Sequence, residues 1–227
     1  MTAILGKIYD HQRSDSLAAN LRKKRLALFR ELMTSIPQPL KILDVGGRER
    51  FWQSAGFLDR EMRDIKITLI NINPREAQAT HPNVKSVVGD ATKMKFEDNE
   101  FDVVFSNSVI EHVGNYNAQL QMAQEVMRVG KRYFVQTPNL YFPIEPHFVF
   151  PCFQFLPLKL RVWLMSNFDL GWHKRVADKQ EAMELVSSVR LLRKKEVLAL
   201  FPNANLFEEK FFGLTKSFTV YGGWDTK

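Results

Sequence analysis

The stretch Lys41-Ile42-Leu43-Asp44-Val45-Gly46-Gly47-Arg48-Glu49-Arg50 (KILDVGGRER) decides how the fold is read. An apolar run stops at an acid and two glycines, as a buried parallel strand does before a tight turn into a helix. A dinucleotide fingerprint would place further glycines after these, so that a pyrophosphate can reach the backbone. Here the later glycines are missing, and Arg48 and Arg50 occupy that part of the loop. The Gly-Lys-Ser/Thr ending of a phosphate loop is missing too. A ligand without phosphate needs less clearance, and could still use the strand-end acid and the close backbone approach at Gly46 and Gly47.

Further strand signals lie outward from this stretch. Lys66 to Ile72 (KITLINI) is closed by Asn73-Pro74, and Val84 to Val88 runs into Gly89-Asp90. Phe101 to Phe105 (FDVVF) precedes Ser106-Asn107, and Arg132 to Gln136 ends at Thr137-Pro138. A helix is expected between these last two strands, from Asn117 to Arg128. The spacers between the first four strands are long enough for crossovers, which predicts a parallel α/β sheet with helices on both faces. Such open sheets bind ligands at the carboxyl ends of their strands. Those ends carry Asp44-Val45-Gly46-Gly47, Asn71, Asp90 and Asn107. Each alone is an ordinary cap or turn residue, but their succession marks a ligand site.

Upstream, residues 15 to 36 read as a helix, with Leu17, Leu21, Leu28 and Leu32 on one stripe, Asp15 or Ser16 as N-cap and Pro37 past the end. Downstream, residues 141 to 165 (YFPIEPHFVFPCFQFLPLKLRVWLM) are rich in Phe and Pro. Four prolines break any spanning helix and Glu145, His147, Lys159 and Arg161 interrupt it, so no transmembrane segment is expected. This part reads as a lid of short turns and helices. A last helix, Lys194 to Phe201, leads to a terminal hairpin of Phe207 to Phe212 and Ser217 to Tyr221. The chain is therefore read as one domain, 1–227. It comprises an N-terminal helical segment (1–39), a ligand-binding core (40–140), a lid (141–190) and a C-terminal helix and hairpin (191–227).

With 45% hydrophobic and 25% charged residues, the 227-residue chain can bury a proper core. Its one cysteine, Cys152, rules out an internal disulfide and a multi-cysteine zinc site, and fits a reducing compartment. The N-terminal MTAILGKIYDHQRSDS lacks the apolar core of a secretory signal, so a cytoplasmic location is expected. The net charge of +7, with the runs Arg22 to Arg25 (RKKR) and Arg190 to Lys195 (RLLRKK), suits an anionic partner such as nucleic acid. Runs of this length equally serve as solvated helix faces.

ILDVGG, LININP, VVGDATKMKFEDNEFDVVFSNSVIEHV and the closing hairpin resemble, in this order, the motifs of class I S-adenosylmethionine-dependent methyltransferases. The likeness is strong over residues 40 to 140 and weak over the hairpin. YFVQTPNLYFPIEPHF and GLTKSF are similar to segments of small bacterial methyltransferases of glycan or natural-product biosynthesis. The resemblance implies a Rossmann-like, mainly parallel sheet with a C-terminal antiparallel hairpin, and S-adenosylmethionine as cofactor. It implies that Asp44 contacts the cofactor's amino-acid portion while Gly46 and Gly47 allow its approach. Asn71, followed by Ile72, stands where the family usually has an acid that accepts from both ribose hydroxyls. An amide accepts through its carbonyl but lacks the charge-assisted bond. Asp90, with the backbone of Ala91 alongside, would accept from the adenine amino group, and Ser106 and Asn107 would line the cleft near the sulfonium.

Methyl transfer from a sulfonium is an in-line displacement, so the protein aligns the acceptor and, for a hydroxyl, removes its proton. His112, in Val109-Ile110-Glu111-His112-Val113, is the candidate base and His147, in Glu145-Pro146-His147, the second. Either residue also reads as a structural histidine bonded to backbone. Glu111-His112 resembles part of the metal-binding arrangement of small-RNA 3′-terminal 2′-O-methyltransferases and ubiquinone-pathway O-methyltransferases. Those families carry another acid three positions before that pair. This chain has Ser108 there, so a ligand is missing; Glu111, His112 and His147 could together bind a hard or borderline cation, but no metal is expected. The aromatic-rich lid predicts a partly apolar substrate pocket. The expected activity is methylation, at oxygen, of a small-molecule or glycan-like acceptor. The alternatives are an RNA acceptor, from the basic runs, and a noncatalytic binding protein of the same fold, from the altered glycine loop and Asn71.

Overall fold

The computed structural model describes residues 17–58, 64–76 and 78–224. Helix α1 (Leu17–Thr34) leads into strand β1 (Leu40–Val45), and a tight loop enters α2 (Glu49–Ser54). Strands β2 (Ile65–Asn71), β3 (Val84–Val88) and β4 (Val103–Asn107) follow. A 3₁₀ turn (Ile110–His112) and α3 (Tyr116–Val129), N-capped by the Asn115 side chain, connect β4 to β5 (Tyr133–Pro138). The segment beyond holds a short strand pair, β6 (Ile144–Glu145) and β7 (Phe150–Pro151), then α4 (Leu158–Asn167) and α5 (Lys179–Ser187). Helix α6 (Lys194–Leu200) precedes the closing hairpin of β8 (Asn205–Phe211) and β9 (Leu214–Gly222).

The seven-stranded sheet has the order β3-β2-β1-β4-β5-β9-β8. Strands β1 to β5 pair in parallel, β9 runs antiparallel to β5, and β8 antiparallel to β9. Alternation along the strands divides the core between two faces. Leu40 and Ile42 of β1, Val103 and Phe105 of β4 and Phe134 of β5 pack with Phe29 and Met33 of α1 and Trp52 of α2. Leu43, Val45, Val104 and Val135 face the other way, onto Met122 and Val126 of α3 and Val197 and Leu200 of α6. The expected Rossmann-like sheet, covered on both faces and closed by an antiparallel hairpin, is what the chain forms. Residues of the expected lid have a small core of their own, around Phe148, Phe153, Met165, Leu170, Ala182 and Val186.

Several boundaries differ from the sequence reading. Strand β2 stops at Asn71, and Ile72 lies beyond it, 76% exposed. Strand β4 extends through Asn107, because Ser106 and Asn107 pair with Val135 and Gln136 of β5. The hairpin strands are longer than expected and meet in a tighter turn, with a bulge between Glu209 and Lys210. On α1 the expected N-cap, Asp15 or Ser16, lies outside the described residues, as do the side chains of Leu17 and Leu21. The buried stripe is set by Arg25, Phe29 and Met33, which leaves Leu28 and Leu32 half-buried at its flank. The leucine periodicity therefore had the right period but the wrong phase. Among the described residues no helix is long and apolar enough to cross a membrane.

Arg25 is buried on this stripe because it meets Glu209 of β8, with its Nη1 3.0 Å from both carboxylate oxygens. Ser217 of β9 donates its hydroxyl to the same carboxylate. This pair ties the N-terminal helix to the C-terminal hairpin. Removing one partner of a buried pair strands the other charge, at a cost of roughly 3–5 kcal/mol. Urea unfolding of Glu209→Ala should show a loss of about that size, whereas Glu31→Ala on the exposed face of the same helix should change stability by less than about 0.5 kcal/mol.

Candidate active site

The strand order reverses on either side of β1, which opens a crevice at the carboxyl ends of β1, β2 and β4. A cavity of about 710 Å³ fills that crevice. Its inner wall is the loop from β1 to α2. Gly46 takes φ +73° there, and its N–H donates to Ile70 O of the neighbouring strand at 2.8 Å. A Cβ at Gly46 would lie 2.5 Å from a methyl of Val109. At Gly47 a Cβ would lie 1.6 Å from Oδ2 of Asp44, so the Asp44 carboxylate occupies the space that a side chain would need. The indole N–H of Trp52 donates to this same Oδ2 at 2.7 Å. Asp44 is 1% exposed, and burial pushes its carboxyl up to about 8 against the opposing effect of the Trp52 bond.

On the next strand Asn71 donates its amide to Gly47 O at 2.9 Å. A carboxylate at this position would set an oxygen against that carbonyl, so the loop itself calls for an amide. The bond also directs the Asn71 donor to the loop, leaving the carbonyl oxygen as its acceptor. Asp90 accepts from Thr92 N and Thr92 Oγ1 through one oxygen, both at 2.8 Å, in an Asx turn. Arg48 lies at the rim, exposed, and forms an ion pair with Glu76 at 2.7 Å. Neither it nor Arg50 closes the cavity.

Asp44, Gly46, Gly47, Asn71, Ile72, Asp90, Ala91 and Asn107 all line this cavity. Ser106 does not. It is fully buried, and its hydroxyl faces Val45 O at 3.3 Å, because the strand pleat turns it away from the face that Asn107 presents.

Beyond β4 the chain turns through Ser108, whose φ of +55° is uncommon for a residue with a side chain. Ser108 N donates to Gln136 O at 3.0 Å and its hydroxyl to Gln136 Oε1 at 2.8 Å, which holds the turn. In the 3₁₀ turn that follows, Glu111 points inward and is fully buried, while His112 is exposed at the cavity. A second cavity, of about 390 Å³, shares Asn107, Ser108 and His112 with the first and reaches Gln136, Phe142, His147 and Trp172.

The segment after β5 brings His147 against this point, although it is remote from His112 in sequence. The two rings are perpendicular with centroids 4.7 Å apart. Nδ1 of His147 lies 2.6 Å from Glu145 Oε1, and the other Glu145 oxygen accepts the backbone N–H of His147 and of Phe148. Glu111 Oε2 accepts from Thr137 Oγ1 at 3.0 Å. Burial pushes the Glu111 carboxyl up to about 7. Crowding by protein and by His147 holds His112 down at about 4, although part of its ring meets the cavities. Burial alone would lower His147, but the Glu145 bond and charge outweigh it and raise this group. Sequence reasoning named both histidines but missed Glu145, which fixes His147, Thr137, which bonds Glu111, and Trp52, which bonds Asp44. The two-residue spacing of Glu145 and His147 was the one local signal available.

The loop geometry is testable by Gly47→Ala, which forces its methyl onto the Asp44 carboxylate and should cost about 1–3 kcal/mol in denaturant unfolding. Asp44 gives a pH signature as well. Its pKa is raised from 3.8 to about 8 in the fold. Its contribution to stability is therefore full below the unfolded value and is lost as pH rises towards the folded one. Thermal melting of Asp44→Asn without cofactor should fall less than wild type as pH is raised across roughly 5 to 9; parallel curves would mean that Asp44 does not titrate in this window.

Residues 49–135 match the family described as "Methyltransferase domain". The uncharacterized protein Rv1509 of Mycobacterium tuberculosis is 37% identical over 65 residues, which are 29% of this chain and 22% of that protein. The match thus spans less than a quarter of that relative's length. Among solved structures, a SAM-dependent methyltransferase from Aquifex aeolicus superposes with a TM-score of 0.54 at 13% identity, over 97% of each chain. The PH0226 protein from Pyrococcus horikoshii OT3 superposes with a TM-score of 0.52 at 19% identity, over 91% of each chain. These structures share the fold with this chain. Residues 49–135 thus resemble a methyltransferase domain, within a fold shared with a SAM-dependent methyltransferase.

Proposed function

We propose that the protein transfers the methyl group of S-adenosylmethionine to a hydroxyl of a small, sugar-like acceptor in the cytoplasm. The observation that carries this reading is the second cavity, which meets the first at Asn107, Ser108 and His112. Its volume is near the lower end of small-molecule sites, about 300–1,000 Å³. It combines the flat surfaces of Phe142 and Trp172 with the polar groups of Gln136 and Ser217 and with the charged Arg22, Arg25, Glu209 and Lys216. Aromatic faces beside hydrogen-bonding and charged groups suit a ring that carries hydroxyls.

The residues of the first cavity fit a nucleoside that carries an amino acid. The Asn71 carbonyl, freed by the bond its amide makes to Gly47, suits ribose hydroxyls, and the second Asp90 oxygen suits an adenine amino group. Asn107 Oδ1 is buried without a hydrogen-bond partner at the junction of the two cavities, as an acceptor waiting for a ligand donor would be. Gly46 and Gly47 leave the backbone open to close approach. Asp44, with one oxygen bonded to Trp52, acts from beneath the loop rather than as an exposed carboxylate.

S-adenosylmethionine supplies an electrophilic methyl on a sulfonium, so the chain has only to hold the acceptor in line and take charge of its proton. In well-organised systems orientation lowers a barrier by about 7–11 kcal/mol. His112 and His147 stand at the junction where the acceptor hydroxyl would lie and are the residues assigned to that proton. The cofactor, held by Gly46, Gly47, Asn71, Asp90 and Asn107, would supply the methyl group, and His112 or His147 would take the acceptor's proton.

RNA is the weaker reading. Arg25 of the first basic run is committed to Glu209, and Arg190 of the second to Gln119 and Glu196. Arms of one assay separate the readings. With methyl-labelled cofactor, label should enter sugar hydroxyls and not RNA, and His112→Ala should lower turnover about 10²–10⁴-fold with cofactor affinity within a few-fold. Label recovered only in RNA, or no calorimetric binding at millimolar cofactor, would falsify the proposal.

A further inference from the structure

We propose that Glu111, His112 and His147 form a binding site for one first-row divalent transition cation where the cofactor and acceptor cavities meet. One ligand atom from each residue falls within 4.8 Å of the others. Each arrives from a different constraint: Glu111 and His112 from the tight turn after β4, His147 from the segment after β5. Their convergence is a product of the fold.

Two details of the cluster point to a cation. The first is Glu111, fully buried, whose Oε2 accepts from Thr137 while Oε1 has no hydrogen-bond partner at all. A carboxylate oxygen removed from water and given no donor is costly to bury. The second is the orientation of His147. Glu145 Oε1 accepts from its Nδ1 at 2.6 Å, and both backbone N–H groups on Glu145 Oε2 hold that carboxylate in place. In the neutral ring this bond keeps the proton on Nδ1, so Nε2 offers a lone pair on the side of the unpartnered Glu111 Oε1, 3.9 Å away. A divalent cation bound between the two atoms would replace the ring proton that otherwise faces this carboxylate. A carboxylate behind a histidine, with the far nitrogen turned inward, is also the outer support that metal-binding histidines use.

The spacing is compatible. Around a four-coordinate ion with bonds of about 2.0–2.2 Å, neighbouring ligand atoms are roughly 3.4 Å apart. The observed 3.9 Å closes to this with a shift of about half an ångström. Two imidazoles and one carboxylate favour zinc, cobalt, nickel or iron over magnesium or calcium, which prefer an all-oxygen shell. Ser108 is not needed as a further ligand, since its hydroxyl is engaged with Gln136. The fourth position opens towards the cavities through His112. The assignment deepens the methyl-transfer reading and rests on it for the cation's role, because a Lewis acid there would hold and acidify an acceptor hydroxyl. Cation binding itself can be measured independently of that reading.

The full chain, stripped with chelator and dialysed, is titrated with cobalt(II) chloride alone, following visible absorption, and with zinc chloride in a calorimeter. One equivalent should bind, with cobalt bands of nitrogen–oxygen coordination. Glu111→Gln, which keeps an acceptor for Thr137, and His147→Gln should each weaken binding at least about 100-fold, and Glu145→Gln, acting behind His147, about 10–100-fold. Circular dichroism and melting of each variant establish that it is folded; the two first-named variants are independent, so one folded variant suffices. No saturable cobalt or zinc binding to wild type overturns the site, as does binding that survives both substitutions, or saturation by magnesium alone. Cobalt binding without methyl transfer to any acceptor would leave the site standing and sink the methyltransferase reading. Undiminished methyl transfer in chelator would remove the cation's catalytic role alone.

Discussion

Strand β1 hydrogen-bonds to β2 along one edge and to β4 along the other, and everything at the site depends on that double pairing. The chain leaves β1 towards β2 and β3 on one side and returns to β4 and β5 on the other, so no connection covers the carboxyl ends in between. A parallel sheet must bury both faces, and α1 and α2 on one side with α3 and α6 on the other do so. What remains open is the crevice at the strand ends. The register then sets what it contains. Asp44 lies opposite Leu69 and Phe105, and the loop after Val45 is tied to β2 by the bond from Gly46 to Ile70.

Two buried carboxyl groups flank this crevice, Asp44 near the end of β1 and Glu111 just past β4, and the fold treats them differently. Moving a carboxylate out of water is costly unless donors replace the water. Asp44 receives an indole N–H from α2 and sits under Gly47, so its place is structural as well as electrostatic. Glu111 receives one hydroxyl, and its second oxygen faces two histidines. The contrast explains why the glycine loop tolerates Arg48 and Arg50. Its shape is fixed from below by Asp44, Trp52 and Asn71, and the arginines remain at the rim with Glu76.

Much of the site was legible in advance because parallel strands end abruptly and polar residues at those ends have few other reasons to follow one another. Asp44, Asn71, Asp90 and Asn107 were found in this way, and all reach the cavity. Ser106 shows the limit of that argument. Nearness to a strand end gives no facing, and the extension of β4 by pairing with β5 put Ser106 on the buried side. The phase of α1 failed for a related reason. Leucines there suggested one stripe, but a charged residue, Arg25, belongs to the buried face because Glu209 meets it from the far end of the chain. No local hydrophobic pattern can report such a partner.

The amino-acid sequence by itself determined the strands, their order along the chain, the polar residues that close them and the glycine turn, because each is written in local periodicity and backbone preference. It also determined, through its lack of later glycines, that the loop is no pyrophosphate cradle. Only the tertiary structure decided that Asn71 serves the loop through its amide, that Asp44 lies beneath Gly47, and that His147 meets Glu111 and His112. These depend on register across the sheet and on where the proline-rich segment after β5 packs. A segment without a repeating pattern has no period from which its contacts can be read, so its place is settled by what it buries.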